Sequence, residues 1–146
     1  MTPAVIFDLD GTLADTLADI AAEADHVLRS LGHAERALNE YRYLAGQGVD
    51  RLLARAMGLP GDTPVPEARE RFLAYYQAHL CDHTTLYPGI AALLDGLVAR
   101  SVPLAVLSNK PDAATQRIVS ELLGRWPFTR VQGQCEGMPR KPDPGA

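Results

Sequence analysis

Hydrophobic positions along the chain follow more than one rhythm. Near the start, Ala4-Val5-Ile6-Phe7 is an unbroken apolar run that stops at Asp8. A run this short, β-branched at its centre and broken by Asp8 and Gly11, predicts a buried parallel strand. The period then becomes helical. Leu17, Ile20, Ala24, Val27, Leu28 and Leu31 recur on one face, and Gly32 can close that helix. Thr16 and Asp19 stand three apart before it, the spacing of a capping box. Helical patterns continue as far as residue 83. Tyr41 and Tyr43 alternate across a predicted helix, which suits a core or an interface. Val49, Leu52, Leu53, Ala56 and Met57 form a stripe that ends at Gly58. A Pro- and Gly-rich loop follows over 58–64, and Pro66 suits the first turn of the next helix, which carries Phe72, Tyr76, His79 and Leu80.

The rhythm changes at Tyr87-Pro88-Gly89. Ile90, Leu93, Leu94, Leu97 and Val98 predict a helix, and Pro103 to Leu107 a second strand closed by Ser108. Pro111 then opens a helix through Ile118, Val119, Leu122 and Leu123 to Gly124. Trp126 before Pro127 reads as a loop anchor, and a weaker third strand lies near Thr129 to Gly133. The segment from Gly137 onward is too rich in Pro and Gly for regular structure.

Strand, helix, strand, helix, strand predicts an α/β fold with a Rossmann-like parallel sheet and right-handed crossovers. The helical stretch over 15–83 is far too long for one crossover, so it is expected to be an inserted all-helical cap. Residues 1–14 and 84–146 then form the core. The linkers near Leu13–Asp15 and His83–Leu86 are the expected pivots between the two. In open α/β sheets ligands sit beyond the carboxyl ends of the strands, where Asp8 and Ser108 both fall.

Composition narrows the partners. A formal net charge of -4 and a sequence pI of about 5.5 disfavour nucleic acid but leave room for a small anionic substrate. Cys81 and Cys135 are too few for a disulfide framework and read as reduced thiols in the cytoplasm. Met1-Thr2-Pro3-Ala4 carries no basic leader, and the apolar run behind it is strand length. Neither a signal peptide nor a membrane span is expected.

Three short segments can carry chemistry. In Asp8-Leu9-Asp10-Gly11-Thr12, two carboxylates follow an apolar strand two residues apart. One can attack phosphorus and the other exchange protons with the leaving oxygen and with water. The same residues equally suit a plain turn. In Leu107-Ser108-Asn109-Lys110, a hydroxyl, an amide and the N–H groups of a helix start make an anion site, or simply a helix cap. In Lys141-Pro142-Asp143-Pro144, a lysine stiffened by proline can neutralise phosphate charge, or be a solvated loop lysine. His79 and His83, with Cys81 and Asp82 between them, could meet zinc on one helix face, but nothing nearby supplies the remaining ligands. They read as ordinary helix histidines.

Taken in order, Phe7 to Leu13, then Leu107 to Lys110, then Arg140 to Pro144 resemble the haloacid dehalogenase superfamily. Phe72 to Gly89 is similar to its phosphoglycolate phosphatase branch, which carries a helical cap after the first motif. The resemblance covers nearly the whole chain. It implies a Mg²⁺-dependent phosphomonoesterase acting on a small phosphorylated metabolite through an aspartyl phosphate. Asp8 would be the nucleophile and Asp10 the general acid/base. The Asp8 carboxylate and the Asp10 carbonyl would bind the metal. Thr12, Ser108, Asn109 and Lys141 would hold the phosphoryl group, a task that is mostly positioning and neutralisation of charge. Gln47 and Arg51, beside Gly46 and Gly48, are specificity candidates. A β-phosphoglucomutase-like phosphotransferase shares all these motifs.

The superfamily's fourth motif, an acidic loop completing the metal site, should follow Lys141 and is not in these 146 residues. The expectation is a fragment of a longer protein, with the C-terminal strands of the sheet missing. The alternative is a degenerate member that binds phosphate or another protein without turnover. In this fold the first strand lies mid-sheet. The 146-residue chain is therefore expected to leave one edge of that strand open to self-association.

Overall fold

A computed structural model describes residues 3–146; Met1 and Thr2, placed in the core by the sequence reading, lie outside the described residues. The chain divides into two compact units. One runs up to Asp15 and resumes at Thr85–Ala146; the other is Thr16–Thr84.

The first unit is built on a parallel sheet. Strand β1 (Val5–Phe7) pairs with β4 (Leu104–Pro111), and β4 pairs with β5 (Phe128–Gln134), in the order β1-β4-β5. Val5 lies against Leu104 and Phe7 against Val106, so the carboxyl ends of β1 and β4 fall together. Helices α5 (Ile90–Ala99) and α6 (Asp112–Leu123) supply the crossovers. Leu94 of α5, Ile118 and Leu123 of α6, and Leu104 and Val106 of the sheet are all buried, and α6 packs on β4 and β5. Gly133 shows how closely α6 approaches β5: a Cβ there would lie 2.5 Å from the Asp112 Cα. The Trp126 ring is buried and its indole N–H donates to Asp95 at 2.8 Å, the anchoring expected of it.

In this unit three points differ from the sequence reading, the first being that β1, expected to be buried, has Val5 and Phe7 half-buried and Ile6 67% exposed. Strand β4 does not close at Ser108 but runs three residues further to Pro111. Ser108 and Asn109 are therefore strand residues and not helix caps, and α6 starts only at Asp112. The apolar run had hidden this, because the second half of the strand is polar. The linkers are not bare chain either. β2 (Ala14–Asp15) and β3 (Thr85–Leu86) form an antiparallel ladder, with Ala14 opposite Leu86 and Asp15 opposite Thr85.

The second unit is helical: α1 (Leu17–Ser30), α2 (Tyr41–Leu44), α3 (Val49–Ala56) and α4 (Pro66–His79). α1 and α3 both pack on α4. Ala24, Val27, Leu28, Leu53, Phe72 and Tyr76 fill the interior, as their helical spacing requires. Tyr41 is fully buried, whereas Tyr43 is exposed. The capping box does not form: Thr16 makes no side-chain cap, and Asp19 turns instead to the far end of the unit. Its carboxylate accepts the His83 N–H at 2.9 Å and the Thr84 hydroxyl at 2.6 Å. A carboxylate already committed to those donors is not available to cap its own helix.

Candidate active site

Beyond β1 the chain folds into a tight turn. Leu9 is fully buried, and its carbonyl accepts the N–H groups of Thr12 (3.2 Å), Leu13 (3.1 Å) and Ala14 (3.1 Å). Gly11 N–H donates to the Ala14 carbonyl at 2.9 Å, and Gly11 sits at φ 73°. That conformation costs a residue with a side chain roughly 1–2 kcal/mol, which is the reason for glycine here. With Leu9 turned into the core, Asp8 is left exposed and Asp10 half-buried. Thr12 lies in the same turn.

Each carboxylate meets its own lysine. Lys141 Nζ lies 2.9 Å from Asp8 Oδ1 and donates to the Leu107 carbonyl at 2.7 Å. It thereby ties the 140–142 loop to the ends of β1 and β4. Asn109 holds that loop in place. Its Oδ1 accepts the Lys141 N–H at 2.9 Å, and its Nδ2 donates to the Lys141 carbonyl at 3.2 Å. The sequence thus brings Asp8, Asn109 and Lys141 together across more than a hundred residues. Asn109 acts here on the lysine's backbone.

The second pair was not foreseen. Lys110 Nζ lies 2.9 Å from Asp10 Oδ1, with the lysine side chain 5% exposed and the aspartate 22%. Ser108, also buried, accepts the Lys110 N–H on its Oγ at 3.1 Å. Period two along β4 places Ser108 and Lys110 on one face, and this signal would have found Lys110 had the strand been read to its true end. Electrostatically the two ammonium groups offset two carboxylates that would otherwise repel each other and any incoming dianion. The Lys141–Asp8 pair is partly solvated, so its own contribution is of order 1 kcal/mol.

For a metal, the Asp8 carboxylate and the Asp10 main-chain carbonyl are hard oxygen donors of the kind Mg²⁺ takes, together with waters and substrate phosphate. Among the described residues no group of three or more His, Cys, Asp and Glu side chains could hold a metal ion. The histidines are otherwise engaged: His79 Nδ1 lies 2.8 Å from Asp82, and His83 Nδ1 2.8 Å from Asp19. Gln47 and Arg51 belong to the helical unit, where the Arg51 guanidinium donates to Gln47 Oε1 at 3.2 Å. Among the described residues no helix is long and apolar enough to cross a membrane.

The sequence profile of the family described as haloacid dehalogenase-like hydrolase matches residues 5–146. A phosphoglycolate phosphatase of Agrobacterium fabrum is 35% identical over 127 residues, covering 84% of this chain and 54% of that protein. A phosphoglycolate phosphatase of Cereibacter sphaeroides (strain ATCC 17025) is 35% identical over 146 residues, covering 97% of this chain and 67% of that protein. The chain thus spans about half to two thirds of the length of these relatives. Among solved structures, CbbY from Rhodobacter sphaeroides in complex with phosphate superposes with a TM-score of 0.70 at 25% identity, covering 97% of this chain and 68% of that one.

Proposed function

This chain belongs to the haloacid dehalogenase-like hydrolase family, and on that premise we propose that it supplies most of the active site of a Mg²⁺-dependent phosphomonoesterase. The substrate is a small phosphorylated metabolite, with phosphoglycolate the first candidate on the strength of the named relatives. The observation that carries the reading is the Lys141–Asp8 pair at the carboxyl end of β1, held by Asn109 beside a buried Ser108.

The chemistry runs in two balanced steps. An Asp8 carboxylate oxygen bonds to phosphorus as the bond from phosphorus to the substrate's leaving oxygen breaks, and that oxygen takes a proton from Asp10. Water then gives a proton back to Asp10 while its oxygen bonds to phosphorus, and the bond to Asp8 breaks. Alcohol and inorganic phosphate leave, and both aspartates return to their starting state. Thr12, Ser108, Asn109 and Lys141 surround the transferring group, with Lys141 offsetting its charge. Bound Mg²⁺, held by Asp8 and the Asp10 carbonyl, would neutralise charge on the phosphoryl oxygens. Gln47 and Arg51 remain candidates for contacts to the rest of the substrate. The net charge of -4 favours a small anion over nucleic acid as the partner. Both cysteines are free thiols, which supports a reducing, cytoplasmic setting.

The test is phosphate release from phosphoglycolate and a panel of phosphoesters by the protein expressed from its complete reading frame, with Mg²⁺. Asp8→Asn is expected to abolish turnover. Asp10→Asn is expected to lower it by about 10²- to 10⁴-fold. Turnover retained by Asp8→Asn overturns the mechanism, and isomerisation of a sugar phosphate without phosphate release would assign a mutase.

A further inference from the structure

We propose that Lys110 is a positioning residue that fixes the carboxylate of Asp10 for proton exchange; the inference rests on the phosphatase reading above and gives its proton-transfer group a support. Lys110 Nζ lies 2.9 Å from Asp10 Oδ1, and its side chain is 5% exposed. An ammonium is seldom buried this far without a reason, because desolvating it costs several kcal/mol unless a partner offsets the loss. That partner is an aspartate in the turn after β1.

The two lysines differ in how they are held. Lys141 comes from a loop that Asn109 clamps by its backbone. Lys110 comes from β4, the middle strand of β1-β4-β5, and its own N–H is fixed by the Ser108 hydroxyl at 3.1 Å. A strand is the stiffer mount. An aspartate side chain has two rotatable bonds, so the position of its carboxylate is loosely set unless something grips it. Gripping Oδ1 sets the plane of the carboxylate and hence where Oδ2 lies. Lys110 therefore acts on orientation, through its contact with Asp10. A shift of about 1 Å in a reacting group can cost on the order of 10²-fold in rate.

The leaving group provides the readout. kcat/KM reports the step in which the leaving oxygen departs. An alkyl phosphate such as phosphoglycolate needs that oxygen protonated; an aryl phosphate such as p-nitrophenyl phosphate needs it far less. With Mg²⁺ and the protein from its complete reading frame, Lys110→Met is expected to lower kcat/KM for phosphoglycolate by about 10²-fold. The loss for the aryl ester is expected to stay below about 10-fold. In an Asp10→Asn background the same substitution should change kcat/KM for phosphoglycolate by less than about 3-fold, because residues acting as one unit are not additive. Lys110→Arg keeps the charge but displaces the donor atoms. It is expected to shift the alkyl-to-aryl ratio in the same direction, and it serves if Lys110→Met does not fold. Equal losses on both esters, or full additivity with Asp10→Asn, would overturn the role of Lys110. Turnover retained by Asp8→Asn would instead overturn the phosphatase reading, so the two failures are distinct.

Discussion

Asp19 ties the first turn of α1 to the segment by which the chain leaves the helical unit, and its removal has a cost that can be worked out. The side chain is 3% exposed. Oδ1 accepts the His83 N–H at 2.9 Å and lies 2.8 Å from His83 Nδ1. Oδ2 accepts the Thr84 hydroxyl at 2.6 Å and the His83 N–H at 3.1 Å. A hydrogen bond to a carboxylate contributes about 1.5–3 kcal/mol. The backbone N–H and the buried Thr84 hydroxyl together give roughly 3–6 kcal/mol on that basis. The His83 ring, 67% exposed, adds at most about 1 kcal/mol. Members of one network are not additive, so Asp19→Ala is expected to cost about 3–5 kcal/mol. At about 2–4 °C per kcal/mol for a chain of this size, the melting temperature should fall by roughly 6–20 °C. Urea unfolding followed by circular dichroism is the assay. His83→Ala should cost less than about 1 kcal/mol, since only the solvated ring contact is lost. An Asp19→Ala variant within about 1 kcal/mol of the parent would refute the reasoning, because the bonds would then be no better than those made to water in the unfolded chain.

Two further outcomes are expected. Tyr41 is fully buried and donates to Asp25 Oδ1 at 2.5 Å; burial first, and then that bond, pushes its phenol above the ordinary range. Unfolded tyrosine ionises near ~10, so above that pH the unfolded chain releases a proton that the folded chain keeps, and stability falls. Tyr41→Phe should lose about 1 kcal/mol at neutral pH and show a flatter decline above pH ~10 in urea melts, whereas parallel profiles would reject the assignment. The other outcome concerns β1, which among the described residues pairs only with β4 and shows Ile6 67% exposed. The 146-residue chain expressed alone is expected to self-associate through that strand as concentration rises in size-exclusion chromatography. Ile6→Lys should suppress the association, and a monomer at every concentration would reject it.

The fold was legible wherever burial imposes a period. Leu17 to Leu31 announces its helix because one face meets a core, and Ile90 to Val98 keeps the same period although only Leu94 in it is buried. β1 shows as a continuous apolar run. β5 was weaker in the sequence because Thr129, Arg130 and Gln132 are polar, yet it extends over Phe128–Gln134 through its ladder with β4. The β2–β3 ladder escaped notice altogether. Two-residue strands leave no period, and Ala14 finds Leu86 only across 71 residues of intervening chain. The Asp19 bonds were hidden for the same reason: a spacing of three fits a local cap, and only the folded chain brings His83 and Thr84 near enough to compete for the carboxylate.

The site divides along a similar line. Asp8 and Asp10 stand together in one short motif, whereas Ser108 and Lys141 became candidates only through the order of the three motifs and the resemblance that order carries. Asn109 and Lys110 have tasks set by what lies across from them. Asn109 grips the backbone of Lys141 from across the site. Lys110 is the clearer case. In a loop after Ser108 it would be one more solvated lysine; on a strand that runs to Pro111 it shares the face of Ser108 and meets Asp10. The difference turns on where β4 ends, and a polar strand end is what apolar patterning cannot register. Catalytic ends of parallel strands are polar by necessity, since they must meet substrate and each other instead of a core. Strand boundaries read from hydrophobicity will therefore fall short at the point where the chemistry begins, and residues just past an apparent end, two positions apart, are the ones to search for missing members of a site.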